Sequence, residues 1–114
     1  MHKHLIVAVA TIGEKKLEDI VSQEFGHSKT FTIIEIEEGK IKKVRVMGNP
    51  AASISHGRGP LIAKALAEMK VQMVISGEIG PGASAILKEF GISQEIAASG
   101  KRVEDVLREK ALTI

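Results

Sequence analysis

The chain reads as an α/β fold: a five-stranded mixed β-sheet flanked by about three α-helices, an expectation resting on three observations. Leu5–Ala10 is a nearly continuous apolar run, as expected of a central strand covered on both faces. Thr30–Glu37 and Ile41–Met47 are rich in β-branched residues and meet at the tight connection Glu38-Gly39-Lys40, the mark of an antiparallel hairpin. After Pro60, short apolar runs alternate with segments whose apolar residues recur at helical spacing, so the later strands need crossover connections. A hairpin on one side of the first strand and two later strands on the other is the topology of a ribonuclease H-like sheet.

In chain order, Thr11–Lys16 is a polar loop around Gly13, and Leu17, Ile20 and Val21 form one amphipathic turn ahead of Phe25-Gly26-His27. Ile41–Met47 belongs at an edge of the sheet, where Lys42, Lys43 and Arg45 discourage strand addition. The long Gly48–Gly59 loop contains Asn49-Pro50 and His56-Gly57-Arg58-Gly59. Pro60 suits the first turn of a helix over Pro60–Met69, with Ile62, Ala65, Leu66 and Met69 on its apolar face. Val71–Ser76 reads as a buried strand, broken by Gly77-Glu78-Ile79-Gly80-Pro81-Gly82. A helix over Gly82–Phe90 follows, with Ala83, Ile86, Leu87 and Phe90 inward and Gly91 closing it in a left-handed conformation. Ile92–Ala98 is the last strand. Arg102–Lys110 is the last helix, with Val103, Val106 and Leu107 inward and Glu104–Arg108 as an exposed i,i+4 pair.

Composition narrows the function. The chain of 114 residues is read as one domain over residues 1–114, 44% hydrophobic and 26% charged. With three Phe and no Trp or Tyr, the core is aliphatic and the stacking platforms of a single-stranded nucleic-acid binder are missing. A net charge of +2 is too small to point to nucleic acid or a membrane surface. Without cysteine, disulfides and thiolate-held metal sites are excluded. No apolar run reaches membrane-spanning length, and Met1-His2-Lys3-His4 leads directly into a strand, so the expectation is a soluble cytoplasmic protein, monomeric or weakly oligomeric. Abundant Lys, Glu and Ile with few Asn and Gln fit a thermophile.

The most informative stretch is the glycine-rich turn Gly77–Gly82. A turn between a strand and a helix leaves backbone N–H groups unpaired at the positive end of the helix, which suits an anion. Tight-turn geometry accounts for the same glycines equally well. The spacing Gly77-x4-Gly82-Ala83-Ser84 is that of a phosphate-binding P-loop, but Ala83 stands where the lysine belongs. Gly80-Pro81-Gly82-Ala83-Ser84-Ala85 fits a dinucleotide fingerprint, yet it is not in the first βα unit and no acid ends the next strand. Two-metal nuclease chemistry needs converging carboxylates. The only aspartates are Asp19 and Asp105, off the central strands, and Glu78 stands alone beside the turn. His2 and His4 read as the exposed start of a strand. His27 and His56 sit in glycine-flanked loops and are candidate metal ligands, although exposed polar surface explains them as well. The loops Gly48–Gly59 and Gly77–Gly82 both precede helices and should gather beyond the strand C-termini, bringing Gly57, Arg58 and Gly59 to Gly77, Glu78, Gly80 and Gly82. Lys64, one or two turns into its helix, reads more simply as solvated surface.

Leu5–Ala10, Phe25-Gly26, the hairpin, Asn49-Pro50 and above all Val74-Ile75-Ser76-Gly77-Glu78-Ile79-Gly80-Pro81-Gly82-Ala83 resemble the nitrogenase iron–molybdenum cofactor-binding family. This is the NifX-type domain, found also as the C-terminal part of NifB-type proteins and as small stand-alone proteins. The resemblance implies a ribonuclease H-like fold without the nuclease carboxylates. It also implies non-enzymatic binding or carriage of an anionic iron–sulfur or iron–molybdenum-type cluster or precursor, with a metallocluster assembly or acceptor protein as partner. The family often has His-Phe-Gly where this chain has Glu24-Phe25-Gly26, so the histidine here falls beyond the glycine, at His27. The other reading of the residues is a metal-free regulatory module for a small anion or nucleotide.

Overall fold

The structure, a computed structural model, describes residues 4–114. The five strands are β1 (His4–Thr11), β2 (Thr30–Glu37), β3 (Lys40–Gly48), β4 (Met73–Ser76) and β5 (Ser93–Ile96); the helices are α1 (Arg58–Glu68), α2 (Pro81–Glu89) and α3 (Val103–Glu109). The sheet order is β3-β2-β1-β4-β5. β2 is antiparallel to β1 and β3, whereas β4 is parallel to β1 and β5. The mixed sheet, the central β1 and the edge position of β3 are therefore as expected, and the order is compatible with a ribonuclease H-like sheet.

Strand alternation explains the layers. Leu5, Val7 and Val9 of β1 pack with Met73, Ile75, Val103, Val106 and Leu107 on the α3 side. Ala8 and Ala10 point the other way, toward Val74, Ile62, Leu66, Ala83 and Leu87 beneath α1 and α2. Alanines at these two positions leave room for helices close to the sheet. At the hairpin, Glu37 faces Lys40, and both Glu38 and Gly39 have positive φ (51° and 79°). Such a two-residue turn matches the twist of the strands it joins. Lys42, Lys43 and Arg45 are exposed on the β3 edge.

Several details differ from expectation. Val71 is buried but precedes β4; its N–H closes onto Leu66 O as α1 ends. In α1, Ile62, Ala63 and Leu66 are the buried residues, while Ala65 and, just past the helix, Met69 are half-buried. Phe90, expected inward, is 48% exposed because α2 ends at Glu89 and Gly91 (φ 74°) turns the chain back into the sheet. Leu17 lies in a 3-10 turn, Lys16–Glu18, and Val21 bridges to Thr11 instead of continuing a helix. Glu104 and Arg108 do not pair: Arg108 binds Asp105 at 2.7 Å, and Glu104 binds Arg102. The hydrogen bond from Arg102 to Glu104, with the charge of that carboxylate, raises the guanidinium above its ordinary value. His4 is exposed on β1, and His2 lies outside the described residues. Among the described residues no helix is long and apolar enough to cross a membrane.

Candidate functional site

Three segments distant in sequence meet at a cleft of about 750 Å³ where β4 ends. One wall is Glu24–His27, the second Gly57–Pro60, and the third runs from Gly77 to Ala83.

The first and third walls are stitched together by backbone. Gly77 N–H donates to Ser22 O at 3.0 Å, Glu78 N–H donates to Gln23 O, and Phe25 N–H donates to Glu78 O at 2.9 Å. Glu24 and Glu78 thereby lie abreast in a parallel bridge. Gly77 permits this approach, because a Cβ there would meet Gln23 O and come within 2.7 Å of Ser22 O. Of the turn expected to leave N–H groups unpaired, the first two, those of Gly77 and Glu78, are therefore already used. Phe25 is buried and meets Phe31 edge-on, with ring centroids 5.4 Å apart, which pins Gly26 and His27 above the core.

The second wall hangs on Asn49 and Arg58. Buried Asn49 donates from Nδ2 to Gly26 O (3.1 Å) and Ser28 O (2.8 Å) and accepts from Ala51 N–H (2.8 Å). Arg58 donates from Nη1 to Gly26 O at 3.1 Å and from Nη2 to Ala52 O at 3.4 Å, while its Nε is buried without a partner. A cation in the first turn opposes the helix dipole, so helix stability does not explain Arg58.

The chemistry of the cleft comes from two helix ends. Neither α1, after Gly57 (φ 71°), nor α2, after Gly80, has a side-chain cap. Their first carbonyl-closing bonds are Leu61 N–H to Gly57 O and Ser84 N–H to Gly80 O. The N–H groups of Arg58, Gly59, Gly82 and Ala83 are thus left without a protein acceptor among the described residues. Gly59 lets the two ends come together: a Cβ on it would lie 2.7 Å from Ala83 Cβ. Gly80 and Gly82 are different. A Cβ on either meets nothing within 4 Å, and neither has a positive φ.

The structure thus gathers Gly57, Arg58, Gly59, Gly77, Glu78, Gly80, Gly82 and His27 around one cleft, with His27 exposed. His56 is exposed just before Gly57 and is not part of the lining. Among the described residues no three His, Cys, Asp or Glu side chains come together to hold a metal ion. Sequence reasoning passed over Glu24 and Ile96, which also line the cleft, and the tethering role of Asn49. An isolated bridge such as Glu24–Glu78 leaves no periodic signal; Asn49-Pro50 at least announced a shaped loop.

Residues 4–111 match the model of the family described as dinitrogenase iron-molybdenum cofactor. A protein of Methanocaldococcus jannaschii, named as uncharacterized, is 39% identical over 72 residues, covering 63% of this chain and 61% of that protein. The match thus spans less than two thirds of that relative. Among solved structures, a Thermotoga protein named for NifB and placed in the DUF35 family is 27% identical, with a TM-score of 0.76 over 94% of this chain and 87% of that one. The apo form of the orange protein from Desulfovibrio gigas, 24% identical, shares the fold with a TM-score of 0.83 over 96% and 90% of the two chains.

Proposed function

The chain belongs to the dinitrogenase iron-molybdenum cofactor family, and from that premise we propose that it binds and carries an anionic iron–sulfur or iron–molybdenum-type cluster, or a precursor of one. The cargo lies between the N-termini of α1 and α2, and the protein passes it to a metallocluster assembly or acceptor protein without catalysing a reaction. The observation that carries this reading is the pairing of two uncapped helix ends with Gly80 and Gly82, where a side chain would enter open space and backbone geometry does not demand glycine. Bare N–H groups and no Cβ are what a bulky anion needs for close approach. With no cysteine and no three-residue metal site among the described residues, the donor set fits a cargo that arrives with its own ligands. Such a cargo is gripped by hydrogen bonds and charge, with at most the His27 imidazole as a direct ligand.

The test is an anaerobic titration of wild type with an isolated cluster, followed by visible absorption and iron analysis. Gly82 lines the cleft, and a Cβ there meets nothing within 4 Å outside its own turn of helix, so Gly82→Val adds bulk at the cleft without an evident clash with the fold. It is expected to weaken binding by tenfold or more, the scale of one or two charge-assisted hydrogen bonds, while circular dichroism stays that of the wild type. A His27→Ala, His56→Ala double variant weakens binding further only where an imidazole binds the cargo metal directly; His27 is the better placed. Unchanged affinity in both folded variants removes the cleft as the site. Binding of a phosphate ligand by the metal-free protein, with no uptake of iron, favours the regulatory-module reading instead.

A further inference from the structure

We infer that Glu24 and Glu78 form an electrostatic release gate, holding the affinity for an anionic cargo below what the two helix ends and Arg58 would otherwise give. This rests on the reading of the cleft as an anion site. The parallel bridge sets the two residues on neighbouring extended segments, about 4.8 Å apart in such pairs, so both side chains leave from the same side. Both are exposed, both line the cleft, and neither forms an ion pair among the described residues. Like charges directly opposite one another work against the fold.

The carboxylates have no structural task to offset that cost. The backbone of Glu78, not its side chain, makes the stitch, through its N–H to Gln23 O and its carbonyl from Phe25 N–H. Arg58 of α1 is a cation that lines the same cleft, but its hydrogen bonds go to the carbonyls of Gly26 and Ala52. Two uncompensated negative charges at the rim of an anion cradle raise the free energy of the loaded state and speed dissociation. A carrier gains from such an opposing term, because a cradle of bare N–H groups and an arginine alone would hold the anion longer. Exposed carboxylates act through solvent, so their effect fades as salt rises. Steric obstruction by the same side chains would not fade.

The test uses Glu24→Gln, Glu78→Gln and the double variant, with Glu89→Gln at the far end of α2 as control. The probe is a water-soluble cluster of four irons and four sulfides carrying four thiolates, a dianion, titrated anaerobically at low and high salt. The double variant is expected to bind roughly tenfold more tightly than wild type at low salt, the scale of two exposed charge–charge interactions. The gain shrinks at high salt, Glu89→Gln is neutral, and the cargo-free double variant melts at a higher temperature in low salt. Wild type and double variant binding equally well overturns the gate and leaves the anion site standing. Weaker binding by the double variant makes the carboxylates ligands of the cargo and also overturns the gate. Binding by none of the proteins removes the anion site and the gate with it.

Discussion

Single glycines divide the site into parts that shape it and parts that serve it. Gly77 and Gly59 are where backbones press together; Gly80 and Gly82 face open space. Substituting each kind should therefore fail differently. Gly77→Ala forces its new methyl against the Ser22 and Gln23 carbonyls, which are backbone and cannot swing aside. It is expected to cost roughly 1–3 kcal/mol as an overpacked position, seen as a fall of several degrees in Tm, and to loosen the Glu24–His27 wall. A Gly77→Ala protein as stable as wild type would show that this wall can shift freely. In the sequence the glycines of this turn looked alike, because one chain carries no sign of which backbone passes each residue. The histidines show the same limit: His27 and His56 both sat in promising loops, yet only His27 lines the cleft.

At the scale of the element, the helix ends carry the information. Of the three helices, α2 alone closes on glycine, at Gly91. Lys70 after α1 and Ala111 after α3 have φ of 65° and 58°, in the left-handed region that a Cβ disfavours. Ala111→Gly should stabilise the protein by about 1 kcal/mol, measured as a shift of the urea midpoint at unchanged slope; no gain would mean that the last turn is already frayed. Strands and helices were legible because they stand out as apolar or β-branched runs, or as apolar residues recurring at helical spacing. The ends were less so. Gly91 announced its helix end, whereas Lys70 and Ala111 are ordinary residues made left-handed by their surroundings. The exposed side of α3 was misjudged for a related reason: Asp105, one turn before Arg108, offers a closer partner than Glu104.

Across the whole molecule, topology could be inferred because a hairpin and a series of crossovers allow few arrangements, and β1 had to be central to be apolar on both faces. The cleft was only half legible. Its helix-bound walls follow from that topology, but the Glu24–His27 wall is held, through Ser22–Phe25, by three backbone hydrogen bonds to residues more than fifty positions away. The free N–H groups at the starts of α1 and α2 have a consequence in time as well as in space. An uncapped first turn frays, and its amides trade hydrogen with solvent readily. A bound anion would close both turns at once, so cargo binding should slow deuterium uptake in Arg58–Leu61 and Gly82–Ser84 together while leaving α3, on the opposite face of the sheet, unchanged. Uptake slowed equally everywhere would mean general stabilisation by mass action. If the two turns respond as a pair, the loaded and empty states of the proposed carrier would differ at the rim in stiffness as well as in content.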